Sequence, residues 1–136
     1  MDFVADQMCF ACGTSNPNGL HLTFHEDDDA YFTTFVADAT LQGYHGIVHG
    51  GIVATVLDEV MARYVWTKAG TAATARLNVR YCRPMPTGEP ITVRGWITAA
   101  RRGGTAYETA AVAHASDGTV FAEATALMMI LPLPGE

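Results

Sequence analysis

The sequence predicts an α+β fold in which an antiparallel β-sheet wraps around one long central helix, and three observations predict it. First, one stretch carries apolar residues at Ile52, Val53, Val56, Leu57, Val60, Met61 and Tyr64. That is the i, i+3, i+4, i+7 spacing of a helix with a broad buried face. Second, the rest of the chain divides into six short segments of strand character separated by turn residues. Third, 136 residues of 49% hydrophobic content suffice for one core, so 1–136 is a single domain.

The N-terminal segment CFACGTSNPNG holds Cys9 and Cys12, and with Cys82 they make three cysteines. An odd, small number fits reduced thiols rather than a disulfide scaffold. Cys9-x-x-Cys12 followed by His21 and His25 has the residue types of a Cys₂His₂ zinc site. Only eight residues separate Cys12 from His21, and both histidines alternate with Leu20, Leu22 and Phe24, which assigns them to a polar strand face. The expectation is therefore a tight turn and no metal. It leads into a first strand, Gly19 to Glu26. The run Asp27-Asp28-Asp29 is a solvated hairpin turn, lacking the spaced ligands and glycine of a calcium loop. A second strand spans Ala30 to Ala37.

The segment Asp38 to Val48 then crosses to the helix, with Gln42, Tyr44 and His45 at a prospective pocket mouth. His49-Gly50-Gly51 follows. The first amides of a helix lack intrahelical acceptors and attract negative charge, so Gly50 and Gly51 offer an oxyanion site. Two acids lie on the helix. Glu59 has Arg63 at i+4, the pattern of a solvated surface pair. Asp58 has Ala54 and Ala62 at i−4 and i+4 and sits at the edge of the apolar arc. An unpartnered acid beside apolar surface, two turns after an oxyanion site, fits a base or nucleophile in acyl transfer.

Lys68-Ala69-Gly70-Thr71 caps and turns the helix. From Thr74, Leu77, Val79 and Tyr81 alternate with Arg76, Asn78 and Arg80, so one face of this strand should meet the helix. Pro84-Met85-Pro86-Thr87-Gly88 ends it. Strands at Ile91 to Ala100, Thr105 to His114 and Thr119 to Leu131 follow, joined by turns at Arg101 to Gly104 and Ser116-Asp117-Gly118. The tail Pro132 to Glu136 reads as frayed.

A net charge of −6, pI near 5.2 and only eight Lys and Arg exclude an extended nucleic-acid surface. No apolar run approaches membrane-spanning length, and MDFVADQ lacks the basic and apolar regions of a secretory signal. A cytoplasmic protein is expected.

HGGIVATVLDE closely resembles the signature of hotdog-fold acyl-CoA thioesterases of the phenylacetate-type (PaaI-like) branch, where HGG opens the central helix and an acid follows nine residues after the histidine. Here that acid is Asp58. CFACGTSNPNGLHLTF and TARLNVRYCRPMPTGE resemble the flanking segments of the same group, so the resemblance covers nearly the whole chain. It implies hydrolysis of an acyl-CoA thioester without a separate cofactor, coenzyme A being part of the substrate. Asp58 would act as general base or nucleophile, with the Gly50 amide, joined by that of Gly51, holding the carbonyl oxygen. His49 would shape that loop, and Thr74 would handle water or substrate. Gln42 falls near the position of a loop Asn or Gln of relatives, and His45 lies beside it. Six of the eight basic residues, Arg76, Arg80, Arg83, Arg94, Arg101 and Arg102, follow the helix. Coenzyme A phosphates favour cations, and Arg101 and Arg102 beside Gly103 and Gly104 are the preferred nucleotide contacts. The resemblance further implies a homodimer with the active site across its interface, and pairs of dimers. The chain departs from relatives in having Ala62 one turn after the acid and no loop Asn. Two alternatives stay open: an acyl-thioester hydratase or dehydratase using His49 and Asp58, and a non-catalytic acyl-CoA binding protein.

Overall fold

A computed structural model describes residues 3–131. Its six strands are β1 (His25–Glu26), β2 (Tyr31–Val36), β3 (Ala72–Tyr81), β4 (Pro90–Arg101), β5 (Ala106–Ala115) and β6 (Val120–Ile130). They form one antiparallel sheet in the order β1-β2-β4-β5-β6-β3. The single long helix, α1 (Gly50–Ala69), lies on one face of this sheet. The tail 132–136 falls outside the described residues.

The helix buries Val53, Val56, Leu57, Val60, Met61, Tyr64 and Val65, the stripe that periodicity predicts extended by Val65. Beneath it, the central strands present small side chains. Gly95, Ala111 and Ala124 are register partners across β4, β5 and β6, and a Cβ built at position 95 would stand 2.8 Å from Val60 Cγ1. The helix can settle this close only because Gly95 has no side chain. Leu57, with no exposed surface, is a central knob of this interface, and truncating it to alanine would cost about 2–5 kcal/mol. The buried polar side chains Thr33 and Thr109 are satisfied by the carbonyls of Thr23 and Ala126 at 2.6 and 3.1 Å.

Three differences from the sequence reading bear on the site. The helix starts at Gly50, ahead of the apolar pattern, because His49 caps it. The first strand pairs only over His25–Glu26; Leu22 is buried as the alternation requires, but His21 sits at φ 51°, which breaks the extended run. On β3, only Val79 of the expected inward face packs against the core, whereas Leu77 and Tyr81 stay 37% and 54% exposed. That strand is the sheet edge, and the helix covers it incompletely. Among the described residues no helix is long and apolar enough to cross a membrane.

Candidate active site

The loop before α1 is held by its own backbone. Gly43 N–H donates to Ile47 O (2.9 Å), His49 N–H to Leu41 O (2.9 Å) and Val48 N–H to Met85 O (2.8 Å). The Gln42 side chain is spent inside this loop, its Oε1 accepting the Gly46 N–H at 3.2 Å. His45 is exposed. His49 is the N-cap, and its Nδ1 accepts the Gly51 N–H at 2.9 Å. Gly51 is thereby a correction to the sequence reading: its amide is occupied by the cap. The Gly50 N–H has no acceptor among the described residues. The Gly50 carbonyl is also fixed, accepting the Tyr81 hydroxyl at 2.7 Å. Tyr44, His49, Gly50, Tyr81, Arg83 and Phe121 are among the residues lining a cavity of about 670 Å³ at this end of the helix.

Asp58 lies two turns further on, half-buried at the helix edge. The Thr74 hydroxyl donates to its Oδ1 at 2.5 Å. Burial pushes the Asp58 carboxyl above the ordinary aspartate range, and the Thr74 hydrogen bond pulls part of the way back. Thr74 reaches this position through a bulge. Its register partner is Met128, that of Arg76 is Leu127, and Ala75 is the extra residue. Strict alternation would place Thr74 on the polar face with Arg76, Asn78 and Arg80; one inserted residue turns it toward the helix. The structure thus joins Asp58 to Thr74 but separates both from the helix start. Eight residues of helix put Asp58 about 12 Å along the axis from Gly50.

The arginines divide. Arg101 donates from Nε and Nη2 to Glu108 Oε2 at 3.2 and 3.0 Å, and Arg102 is exposed in the following turn. In register, Ala100 meets Tyr107, Tyr107 meets Met128 and Met128 meets Thr74, so this turn stands three strand spacings, about 14 Å, from Thr74. Arg83, at the opposite end of the sheet, is the arginine on the helix-start cavity. Of the cavity residues, the sequence reading takes Tyr81 only as a strand residue and names Arg83 only among the six arginines after the helix. The available signal was their place just before the Pro84–Pro86 turn, which the structure bridges to Ile47 of the loop.

Glu59 corrects a further expectation. It forms no ion pair with Arg63 among the described residues. It faces the N-terminal turn instead, accepting from Cys12 Sγ at 3.1 Å, while Arg63 Nη1 lies 3.4 Å from the same sulfur. Donor atoms of Cys9, Cys12 and Glu59 fall within 4.8 Å of one another. The histidines of the Cys₂His₂ pattern do not join them: His21 bonds Asn16 O at 2.5 Å and His25 lies against Phe32.

The family model described as "Thioesterase superfamily" matches residues 45–122. The mouse (Mus musculus) acyl-coenzyme A thioesterase THEM4 is 32% identical over 91 residues, 67% of this chain and 39% of that protein. The chain spans about half or less of the length of the curated relatives it matches. A crystal structure of a thioesterase superfamily protein superposes with a TM-score of 0.82 at 27% identity, covering 90% of this chain and 60% of that one. A thioesterase-like protein from Streptococcus pneumoniae TIGR4, solved with coenzyme A, superposes with a TM-score of 0.75 at 18% identity, covering 82% and 90%. The six-stranded antiparallel sheet with one long helix is the hotdog fold that these neighbours share.

Proposed function

The chain belongs to the thioesterase superfamily, and from that premise we propose that it hydrolyses acyl-CoA thioesters in a homodimer whose active sites straddle the interface. The observation that carries this reading is the half-buried Asp58 carboxylate held by Thr74 at an open sheet edge, about 12 Å from the unpaired Gly50 amide. Each chain holds two halves of one site, too far apart to work on one carbonyl.

Joining two β3 edges about a two-fold axis reunites the halves. Antiparallel pairing of a strand with its own copy matches residues whose numbers have a constant sum. With the axis at Asn78, which then faces its own copy, the extra residue at Ala75 brings Thr74 of one chain opposite Tyr81 of its partner. Tyr81 carries Gly50 with it through the 2.7 Å hydrogen bond. Asp58 of one chain then faces the helix start of the other.

In the proposed reaction the Gly50 N–H receives the thioester carbonyl oxygen, where negative charge develops. Asp58 either takes a proton from a water that attacks the carbonyl carbon, or attacks that carbon itself to form a mixed anhydride that water then hydrolyses; in both routes the C–S bond breaks, the thiolate takes up a proton from the water, and the products are the free acid and the coenzyme A thiol. Thr74 keeps Asp58 ionised and aimed. His49 holds the helix start through its Nδ1. Arg83, beside the cavity, joins Arg101 and Arg102 as an assigned partner for coenzyme A phosphates. No cofactor enters the chemistry. Acyl-CoA as substrate is supported by the mouse relative's description and by the coenzyme A held in the streptococcal structure.

The test is thiol release from short, long and aryl acyl-CoAs by wild type and Asp58→Asn. Turnover confined to the folded wild type supports the reading. Binding of acyl-CoA by wild type without thiol release would replace it with a binding protein.

A further inference from the structure

Outside the catalytic residues, one group of side chains has the chemistry of a site, and it is built from two distant parts of the chain. Cys9 and Cys12 lie on one N-terminal turn, closed by the Gly13 N–H donating to Cys9 O at 2.8 Å. A Cβ at position 13 would stand 2.4 Å from Gln7 O and 2.5 Å from Cys9 N. The turn therefore closes only around glycine. It carries both sulfurs onto α1, where Glu59 Oε1 is 3.8 Å from Cys9 Sγ and 3.1 Å from Cys12 Sγ.

Those separations suit a tetrahedral ion. Zinc with its usual bond lengths of about 2.3 Å to sulfur and 2.1 Å to oxygen sets the two ligand atoms about 3.6 Å apart. The observed 3.8 and 3.1 Å bracket that value. The surroundings suit it as well. The Arg63 guanidinium, held 5.1 Å from the Phe24 ring centroid and 5.3 Å from that of Trp66, directs Nη1 at Cys12 Sγ from 3.4 Å. A neutral thiol is a poor acceptor for a guanidinium, whereas a metal-bound thiolate is an anionic one, and such outer donors are a regular part of metal sites.

We propose that Cys9, Cys12 and Glu59 bind a zinc-class divalent cation that clamps the N-terminal turn to the helix residue next to Asp58. This departs from the metal-free expectation of the sequence. The Cys₂His₂ pattern takes histidines as its remaining ligands, whereas the third donor here is a helix carboxylate. Two thiol protons leave as one divalent ion enters, so the charge of the cluster with Arg63 is unchanged. Cys9 is exposed, which leaves the fourth position to solvent.

The experiment is a Co²⁺ titration of the full chain after reduction and chelator treatment, without oxygen. Expected are thiolate-to-cobalt charge-transfer bands saturating at one equivalent and removed by Zn²⁺. Glu59→Gln should weaken binding at least about tenfold, Cys12→Ser should abolish the bands, and Cys82→Ser should leave them intact. Circular dichroism checks each fold, and should Cys12→Ser not fold, wild type and Glu59→Gln decide. Wild type without these bands, its thiols free or joined as a disulfide, overturns the proposal, as do bands that persist in folded Cys12→Ser. Neither outcome touches the thioesterase reading, which rests on Asp58.

Discussion

The β1 edge and the β3 edge of the same sheet are finished in opposite ways. β1 is two residues long, and its surroundings are pinned by ion pairs of Lys68 with Glu26 at 2.8 Å and Arg94 with Asp27 at 2.5 Å. A short, charged edge of this kind discourages pairing with another chain. β3 runs for ten residues with most of them exposed, Leu77 and Tyr81 included. A long edge with apolar side chains is a template for another strand. Both halves of the site lean on that edge, Asp58 through Thr74 and Gly50 through Tyr81. In the proposed dimer the open edge is where assembly and chemistry meet, and the closed edge takes no part.

The largest expected effect comes from spoiling the open edge. Leu77 lies next to the inferred two-fold axis, so Leu77→Glu brings two like charges together. The variant should run as a monomer in size-exclusion chromatography and lose thiol release together with the dimer. The matching change on the closed edge, His25→Glu, should leave size and turnover within about twofold, as for an ordinary surface substitution. Equal losses from both would remove the contrast between the edges.

Asp58→Asn should lower kcat by about 10²–10⁴, the range of a lost general base, without costing stability. The folded carboxyl is raised above its unfolded value, so it favours the native state only at pH below that range. Its contribution is lost as pH rises through the folded value. At neutral pH the buried charge opposes folding, and asparagine removes it. Calorimetry between pH 4 and 8, about the span over which a carboxyl of this kind titrates, should find the variant's melting temperature equal or higher at the upper end. A large loss there would mean that Asp58 is structural.

Gly50→Pro isolates the amide at the other half. Gly50 is the first helical residue, where proline is accommodated, and His49 before it already has φ −58° and ψ 135°, suited to a residue preceding proline. The substitution deletes the N–H and keeps the helix, so kcat should fall by about 10²–10³. Mixing Gly50→Pro with Asp58→Asn chains sharpens the test. Sites across the interface give each mixed dimer one intact pairing of Asp58 with Gly50, and thiol release reappears. Halves that act within one chain give no recovery.

Much of the fold was legible because its signals are local. The helix face needs only residues three and four apart, and Asp58 stood out because Ala54 and Ala62 offer it nothing. The parts that were not legible depend on distant chain. Glu59 has a helical partner at i+4, yet the N-terminal turn brings sulfur to both residues, and the pair opens onto it. Gly51 looked as free as Gly50 until the His49 ring folded back onto its amide. In each case a tertiary neighbour overrode a correct local rule.

Thr74 is the sharpest instance, and it carries the smallest predicted effect. Its even number places it with the outward arginines, and only the bulge at Ala75 turns it to Asp58. Thr74→Val keeps the shape and strand propensity and removes the hydroxyl. That hydroxyl donates to the carboxylate and so favours the charged form. Without it the Asp58 carboxyl rises further. Turnover needs the ionised carboxylate, so the acid limb of kcat/KM against pH should move to higher pH, with the alkaline plateau lowered only a few-fold, as for one hydrogen bond. A residue that merely filled space would lower the plateau and leave the limb where it was. The limb's position therefore separates a threonine that sets the charge of Asp58 from one that only supports the bulge.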